Sequence, residues 1–369
     1  MIENTIPAPL QIATLPLARP KKALHNRVNR RELKERLQKD SIKRVTLSFY
    51  KYAQILDPQG FRDELYTCWD ALGVMGRTYI APEGVNAQIS VPEEKFEQFK
   101  TLMDCYEIFR GMRLNVAVEA EGKSFFTLAI KVKEKIVADG LTDPSFDPSK
   151  TGTHLNAEEW NRISEEPDVI LVDMRNHYES EVGHFENAIT PDAATFREEL
   201  PMVAELLTDH REKKILMYCT GGIRCEKASA FMKHNGFENV FQLEGGIIEY
   251  DRQVRAKGLK NKFLGKNFVF DERLGERISP DVIAHCHQCE KSADTHTNCA
   301  NPYCHILFIQ CEECRARYFG CCSEKCFEFN ALPADKQREL APTMAFNGSK
   351  FGKGAYKAFR KAGGNLGGA

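Results

Sequence analysis

The chain has 369 residues, enough for two or three domains with separate cores, and its formal net charge of −1 excludes little about its partners. No apolar run approaches the roughly 18 residues that a membrane-spanning helix needs, and the start of the chain lacks the pattern of an export or transit signal. We therefore expect a cytoplasmic protein, in which thirteen cysteines indicate metal binding or catalysis rather than disulfides.

Positive charge is concentrated at the two ends of the chain. Residues 19–44 contain eleven lysines and arginines against three acidic residues, and residues 349–369 contain five against none. Such ends suit a polyanion such as a nucleic acid, although solvated tails that aid solubility have the same composition. We assign residues 1–43 to a basic N-terminal arm with a helix at 29–39, and residues 331–369 to a basic, disordered tail.

Residues 44–138 carry the first regular pattern of strands and helices. Strands are predicted at 44–52, 75–81, 86–91, 112–118 and 125–132, and helices at 58–73 and 92–106. The order β-α-β-β-α-β is that of a ferredoxin-like sheet. Such domains often bind RNA on the open face of the sheet, but many do not.

A second periodic block follows a linker at residues 139–154, which is rich in Pro, Gly, Asp and Ser. Residues 155–262 alternate strands and helices, which indicates an α/β domain with a parallel sheet covered on both faces. The strand predicted at 215–219 is central. Ligands lie at the carboxyl ends of such strands, so the loop after it is the candidate site.

This loop carries the strongest signal for chemistry in the chain. A cysteine between a strand and a helix lies where backbone N–H groups and the helix dipole bind anions and lower the pKa of a thiol. We predict Cys219 as the catalytic residue, with Arg224 supporting its thiolate. Cys225 is either a resolving thiol or a half-buried helix residue. The backbone predicted to surround the sulfur belongs to Thr220, Gly221, Gly222 and Ile223.

The loop and its flanks resemble the rhodanese domain over about residues 155–260. The matching segments are Val172–Arg175, Glu179, Gly183–Ala188, Cys219–Arg224 and Leu243–Gly246. In that family the loop cysteine carries a persulfide, and Cys219 occupies its position. Four residues separate Cys219 from Arg224, one fewer than in cysteine phosphatases, which disfavours a phosphatase.

Nine of the thirteen cysteines lie between residues 286 and 326, within a small Cys-rich module predicted at 263–330. Two close pairs make one tetrahedral site, so eight of them could hold two structural zinc ions. An iron–sulfur centre or a set of redox thiols fits the same spacing. The predicted ligands are the pairs Cys286 and Cys289, Cys299 and Cys304, Cys311 and Cys314, and Cys322 and Cys326.

Taken whole, the chain closely resembles the bacterial tRNA uridine hydroxylase family from about Leu24 to Cys326. The shared segments are 25–27, 48–52, 83–90, 174–179, 219–228, 265–272 and 285–289. The resemblance implies hydroxylation of the wobble uridine (position 34) to 5-hydroxyuridine, with the tRNA anticodon loop as partner and molecular oxygen as co-substrate. The sequence shows no G-x-G-x-x-G fingerprint for NAD or flavin and no convincing two-histidine, one-carboxylate set for iron.

Two roles for Cys219 remain open at the level of sequence. Its thiolate could add to C6 of the uracil and make C5 electron-rich, or it could carry a persulfide. The second role corresponds to a sulfurtransferase that passes sulfur to tRNA or to a protein. A non-catalytic adaptor, binding RNA or a partner through the cysteine module and the basic ends, is the third alternative.

Overall fold

The structure is a computed structural model that describes residues 24–26, 28–119 and 123–346. Most of the basic N-terminal arm, and the basic end at residues 347–369, lie outside these ranges. The described part of the arm contains α1, Arg30–Lys39, close to the helix expected there. Within the described ranges, no helix is both long and apolar enough to cross a membrane.

The N-terminal domain is a five-stranded sheet. Its elements are β1 Arg44–Tyr52, α2 Pro58–Ala71, β2 Met75–Ala81, β3 Gly84–Pro92, α3 Phe96–Asp104, β4 Asn115–Val116 and β5 Leu128–Val132. The strand order is β4-β1-β3-β2-β5, in which β3 pairs antiparallel with β1 and β2, and β4 pairs antiparallel with β1. The predicted ferredoxin-like fold is confirmed, with β5 added parallel to β2.

Several elements of this domain are shorter than the sequence pattern predicted, and the helix expected at 58–73 ends at Ala71. β4 is an edge strand that meets β1 only opposite Leu47 and Ser48, so the strand expected at 112–118 is reduced to two residues. The strand expected at 125–132 begins only at Leu128. The helix expected at 92–106 is divided into a 3-10 turn, Glu93–Lys95, and α3.

One face of β1 lies in the core of this domain, and its other face belongs to an open face of the sheet. Leu47 and Phe49 are buried in the core, where the Phe49 ring lies edge-on to Trp69 of α2 with 6.2 Å between the ring centroids. Successive strand residues point to opposite faces, so Ser48 and Tyr50 point away from that core. The open face forms one wall of a cavity between the two domains.

The second domain is the predicted rhodanese-like unit. Its elements are β6 Thr153–Leu155, α4 Ala157–Ile163, β7 Ile170–Asp173, α5 His177–Ser180, β8 Gly183–Phe185, α6 Phe196–Leu206, β9 Ile215–Tyr218, α7 Ile223–His234, β10 Val240–Leu243 and α8 Gly246–Lys257. The parallel sheet has the order β6-β10-β9-β7, and every residue of β9 is buried. β6 takes the last two residues of the expected linker, because they pair with β10.

The C-terminal region begins as an extension of the rhodanese-like domain. Its elements are β11 Phe263–Asn267, β12 Glu276–Arg277, β13 His296–Asn298, β14 Leu307–Ile309, α9 Glu312–Tyr318, α10 Glu324–Asn330 and α11 Ala334–Leu340. β11 pairs antiparallel with β8 on one side and with β12 on the other. Residues 263–277, which the sequence assigned to the Cys-rich module, therefore contain two strands that continue the preceding domain.

The expectation of a disordered tail from residue 331 is wrong for residues 331–346. α11 forms there, and the chain then returns to the cysteine module. The Phe346 ring lies 4.8 Å from that of Phe329, and Lys325 Nζ donates to the Ala345 carbonyl at 2.8 Å. These contacts hold a segment whose composition alone suggested a tail.

A buried ion cluster joins the N-terminal and rhodanese-like domains. Lys227 Nζ of α7 lies 2.8 Å from Glu83 Oε2, in the turn between β2 and β3, and 2.5 Å from Asp139 Oδ2. The side chains of Lys227 and Asp139 are 2% and 0% exposed. Charges this deeply buried are stable only when they are paired, so the cluster fixes α7, and with it the Cys219 loop, against the N-terminal sheet.

We expect Lys227→Met to lower the free energy of unfolding by about 3 kcal/mol, because it leaves Asp139 as a buried charge without its main partner. The loss lies at the low end for buried pairs, since Lys135 Nζ still reaches Asp139 at 2.6 Å. Lys213→Met, which removes a pair with the exposed Asp168, should change the free energy of unfolding by less than about 1 kcal/mol. Urea titration measures both, and equal losses would contradict the role assigned to the cluster.

Candidate functional site

The loop between β9 and α7 surrounds the sulfur of Cys219, which is buried. The Gly222 N–H donates to Cys219 Sγ at 3.2 Å. Gly222 has φ +98°, a left-handed conformation that favours glycine, and a Cβ there would lie only 2.9 Å from Tyr50 Oη. The backbone of Cys219 is fixed as well, because the Ile247 N–H donates to its carbonyl oxygen at 3.0 Å.

The other predicted loop residues shape this surrounding backbone in different ways. Thr220 Oγ1 lies 3.4 Å from Arg224 Nη2, and the Gly221 carbonyl accepts from Asn115 Nδ2 at 3.5 Å. Ile223 begins α7, whose N-terminal end therefore faces the sulfur. The structure thus brings the predicted loop residues together at one place, as the sequence predicted for a strand–loop–helix turn.

The guanidinium of Arg224 is held by a two-pronged ion pair with Glu179. Its Nη1 and Nη2 lie 2.6 and 2.8 Å from the two carboxylate oxygens, and the Glu179 side chain is fully buried. Glu179 Oε1 also accepts from the Asn176 N–H at 3.1 Å. This geometry fixes the orientation of Arg224. The charge of Arg224 then acts on Cys219 through space. That this charge stabilises the thiolate of Cys219 stays a prediction.

The surroundings of Cys219 favour a thiolate. Burial alone would raise the pKa of its thiol, but the hydrogen bond from the Cys225 thiol, the charge of Arg224 and backbone N–H groups of the loop outweigh burial and lower the pKa to about 6. Burial and the neighbouring Cys219 raise the pKa of Cys225 well above its usual value. Cys225 is thus held as a protonated donor to Cys219, which favours this role over that of a resolving thiol.

We expect the thiolate of Cys219 to titrate near pH 6, so that the protein loses its nucleophile below that pH and retains it above. Arg224→Met should raise the midpoint by about 1–2 pH units by removing the nearby positive charge. Cys225→Ala should also raise it, since the thiol donor is lost. The ultraviolet thiolate absorbance, taken as wild type minus Cys219→Ser, gives the midpoint. Unchanged midpoints in both variants would contradict this electrostatic explanation.

A cavity of about 770 Å³ lies between the Cys219 loop and the open face of the N-terminal sheet. The sheet contributes polar and aromatic side chains to its wall: Ser48, Tyr50, Arg77, Tyr79, Asn86, Gln88 and Asn115. Asn176, Tyr178 and Arg224 line it from the rhodanese-like side, and Phe270 from the segment after β11. A cavity of this size, with a few polar groups on an apolar wall, suits a small organic ligand.

The wall contributed by the N-terminal sheet was missed as part of the site when only the sequence was considered. Four of its residues, Ser48, Tyr50, Asn86 and Gln88, lie in segments 48–52 and 83–90, which were noted only as parts of a family resemblance. The alternation in β1 could have indicated them, because polar residues opposite a buried apolar row form an open sheet face. What the alternation does not show is which other domain covers that face.

The eight predicted cysteine ligands come together as two sets of four. One set is Cys286, Cys289, Cys311 and Cys314, and the other is Cys299, Cys304, Cys322 and Cys326. The four sulfur atoms of each set lie within 4.8 Å of one another. Along the chain, the first close pair therefore combines with the third, and the second combines with the fourth. Cys321 belongs to neither set.

The distances within these sets agree with tetrahedral metal binding. Sγ–Sγ separations are 3.6 Å for Cys289 and Cys311 and 3.7 Å for Cys304 and Cys322. Four sulfurs at about 2.3 Å from a central zinc ion stand roughly 3.8 Å apart. Both sets could thus bind a metal ion with little rearrangement.

Family profiles match three consecutive parts of the chain. They are described as the UPF0176 acylphosphatase like domain at residues 44–136, the rhodanese-like domain at 156–253 and the rhodanase C-terminal domain at 264–327. A solved rhodanese-like domain from Anabaena is similar to part of this chain, with 19% identity and a TM-score of 0.25. The match includes 31% of this chain and 80% of that domain.

Close relatives match almost the full length of the chain. The tRNA uridine(34) hydroxylases of Salmonella arizonae and Photorhabdus laumondii are each 58% identical over 316 residues, which is 85% of this chain and 90% of theirs. That of Pectobacterium carotovorum is 57% identical over 318 residues, 86% of this chain and 90% of its own. The resemblance seen in the sequence is confirmed, and the chain belongs to the tRNA uridine(34) hydroxylase family.

Proposed function

We propose that this protein is an oxidoreductase that hydroxylates C5 of the wobble uridine in the anticodon loop of tRNA, giving 5-hydroxyuridine with an oxygen atom from O2. The observation that carries the proposal is the cavity in which the buried Cys219 faces the open sheet of the N-terminal domain. An anticodon-loop base is already unpaired, so moving it into such a cavity requires little energy.

Cys219 acts as the nucleophile of this reaction. Its thiolate adds to C6 of the uracil, and the electron pair of the C5–C6 double bond becomes an enolate that makes C5 electron-rich. C5 then gains an oxygen atom from O2. Loss of the C5 proton re-forms the double bond and expels the Cys219 thiolate. The second oxygen atom becomes water and needs two electrons and two protons, which a thiol reductant supplies in an assay.

Two further assignments accompany this function. The two cysteine sets hold structural zinc, since closed four-sulfur sites with this spacing are typical of zinc and leave no open coordination position for substrate. The basic arm, including Arg36 and Lys39 at the end of α1, contacts the tRNA backbone. We place the protein in the cytoplasm, where its tRNA substrate is found.

Nucleoside mass spectrometry tests the proposal. tRNA from a strain lacking the protein should lose 5-hydroxyuridine and its derivatives, and the purified protein with labelled O2 should place the label in the product. The second candidate is a sulfurtransferase, which is favoured by the rhodanese-type loop with its Gly222 N–H bonded to the sulfur. Loss of a thiolated nucleoside, with 5-hydroxyuridine retained, would support that candidate and overturn hydroxylation.

A further inference from the structure

Tyr50 connects the Cys219 cavity with a second cavity on the other side of the loop. The second cavity has a volume of about 660 Å³ and shares Tyr50, Asn115 and Gly221 with the first. The hydroxyl of Tyr50 stands beside the backbone that binds the sulfur, since a Cβ on Gly222 would lie 2.9 Å from it. Tyr50 is therefore a side chain through which groups in the second cavity can reach a base bound at Cys219.

A continuous path of hydrogen bonds leads from Tyr50 towards solvent. Tyr50 Oη donates to Glu226 Oε1 at 2.8 Å, and His154 Nε2 lies 3.1 Å from the same oxygen. The Glu226 side chain is 14% exposed, whereas that of His154 is 40% exposed in the second cavity. The path thus crosses from a buried phenol through a mostly buried carboxylate to an imidazole in contact with water.

At rest, this path holds a proton on Tyr50 and an ionised carboxylate on Glu226 that can accept it. Burial and the Glu226 carboxylate raise the pKa of Tyr50, so its phenol is protonated. Burial opposes ionisation of Glu226, but hydrogen bonds from His154 and Tyr50 lower its pKa and keep it a carboxylate. The hydrogen bond to Glu226 raises the pKa of His154 in turn. The nearby Arg113 and Glu244 form an ion pair of their own at 2.5 Å.

We propose that Tyr50 is a catalytic residue that takes the proton from C5 of the uracil adduct and passes a proton through Glu226 to solvent. The proposal rests on the proposed function, because it describes the last step of that reaction. It adds a residue of the N-terminal sheet to the chemistry of the rhodanese-like loop. It also gives the second cavity a role as the exit for protons.

The step balances without a further reagent. The C5–H bond breaks and its proton bonds to the Tyr50 oxygen, while the original phenolic proton moves to Glu226. The electron pair of the C5–H bond forms the C5–C6 double bond, and the C6–S bond breaks to give the Cys219 thiolate. Glu226, which lines the second cavity, then passes its proton to water there and returns to the carboxylate that His154 Nε2–H stabilises.

Hydrogen exchange at C5 tests this path separately from oxygen chemistry. Without O2, the enolate made by Cys219 addition takes a proton by the same path and loses one again. In D2O the wobble uridine of bound tRNA should therefore gain deuterium at C5. We expect Tyr50→Phe to slow this exchange about 100-fold, the low end for general acid–base catalysis, and Glu226→Gln to slow it similarly.

Tyr106→Phe is the matched control, because it removes a tyrosine–glutamate hydrogen bond, 2.9 Å to Glu64 Oε1, at a site outside both cavities. It should leave the exchange unchanged. With O2 and tRNA deuterated at C5 of this uridine, Tyr50→Phe should also lower kcat with little change in KM and increase the kinetic isotope effect. A structural defect alone would not increase that isotope effect.

The outcomes separate the two proposals. Suppose that wild type shows exchange and that Tyr50→Phe and Glu226→Gln both exchange within about twofold of its rate, against the roughly 100-fold slowing expected. That result overturns the relay and leaves the Cys219 adduct in place. Hydroxylation by wild type without any anaerobic exchange overturns the adduct and the relay together. Exchange that is lost in both variants and retained in Tyr106→Phe supports the relay.

Discussion

Replacement of Cys219 by alanine is expected to reduce formation of 5-hydroxyuridine at least about 1,000-fold, because it removes the only group assigned to attack the base. The fold should survive, since the change removes one sulfur from a loop whose backbone is held by the Ile247 N–H. Single-turnover assays with purified tRNA and quantitation of the modified nucleoside measure the effect.

Cys105→Ala is the control for this change, because Cys105 is exposed at the end of α3. It should hydroxylate tRNA at the wild-type rate. Cys225→Ala should fall between the two, since it removes a hydrogen bond to the Cys219 thiolate but not the nucleophile itself. A Cys219→Ala protein that hydroxylates tRNA at the normal rate would show that Cys219 is not the nucleophile.

The second large effect concerns the cysteine module, where we expect two zinc ions per chain. Cys299→Ser should retain one of them, because it breaks only the set formed with Cys304, Cys322 and Cys326. Each structural zinc site contributes roughly 10 kcal/mol or more of binding free energy to folding. Losing one should therefore unfold much of the module. Elemental analysis gives the zinc content, and limited proteolysis reports the unfolding.

Cys321→Ser provides the matched control within the same module. Cys321 is buried beside the second set but is not one of its four members. This variant should keep two zinc ions and wild-type resistance to protease. Loss of zinc from Cys321→Ser together with retention of both zinc ions by Cys299→Ser would show that the ligands are assigned wrongly. Iron in the purified protein would show that the metal is iron and not zinc.

The sequence predicted those features that depend on local spacing. Cys219, the glycines and Arg224 lie within a few residues of one another, so a strand, a loop and a helix bring them together. The close cysteine pairs could likewise be identified from their spacing. Their combination across the chain could not, because it depends on how β13, β14 and the two following helices fold around the metal sites.

Contacts between residues far apart in the chain could not be predicted from the local pattern. Glu179 was noted only as a matching position, yet it determines how Arg224 is oriented. Tyr50 and Glu226 are separated by 176 residues and meet where α7 packs against the N-terminal sheet, a contact to which Lys227 and its partners contribute. In the same way, the contacts that Ala345 and Phe346 make with the cysteine module leave little trace in the composition of the segment after residue 331, which looked like a tail.

The central claim is that the Cys219 thiolate adds to C6 of the wobble uridine, and a tRNA with 5-fluorouridine at that position tests it most directly. Fluorine replaces the C5 hydrogen whose loss releases the thiolate, so the adduct should persist. We predict a covalent protein–tRNA complex, stable to denaturation, whose modified peptide contains Cys219. The account would be contradicted if protein that hydroxylates unmodified tRNA formed no such complex and carried an extra sulfur atom on Cys219.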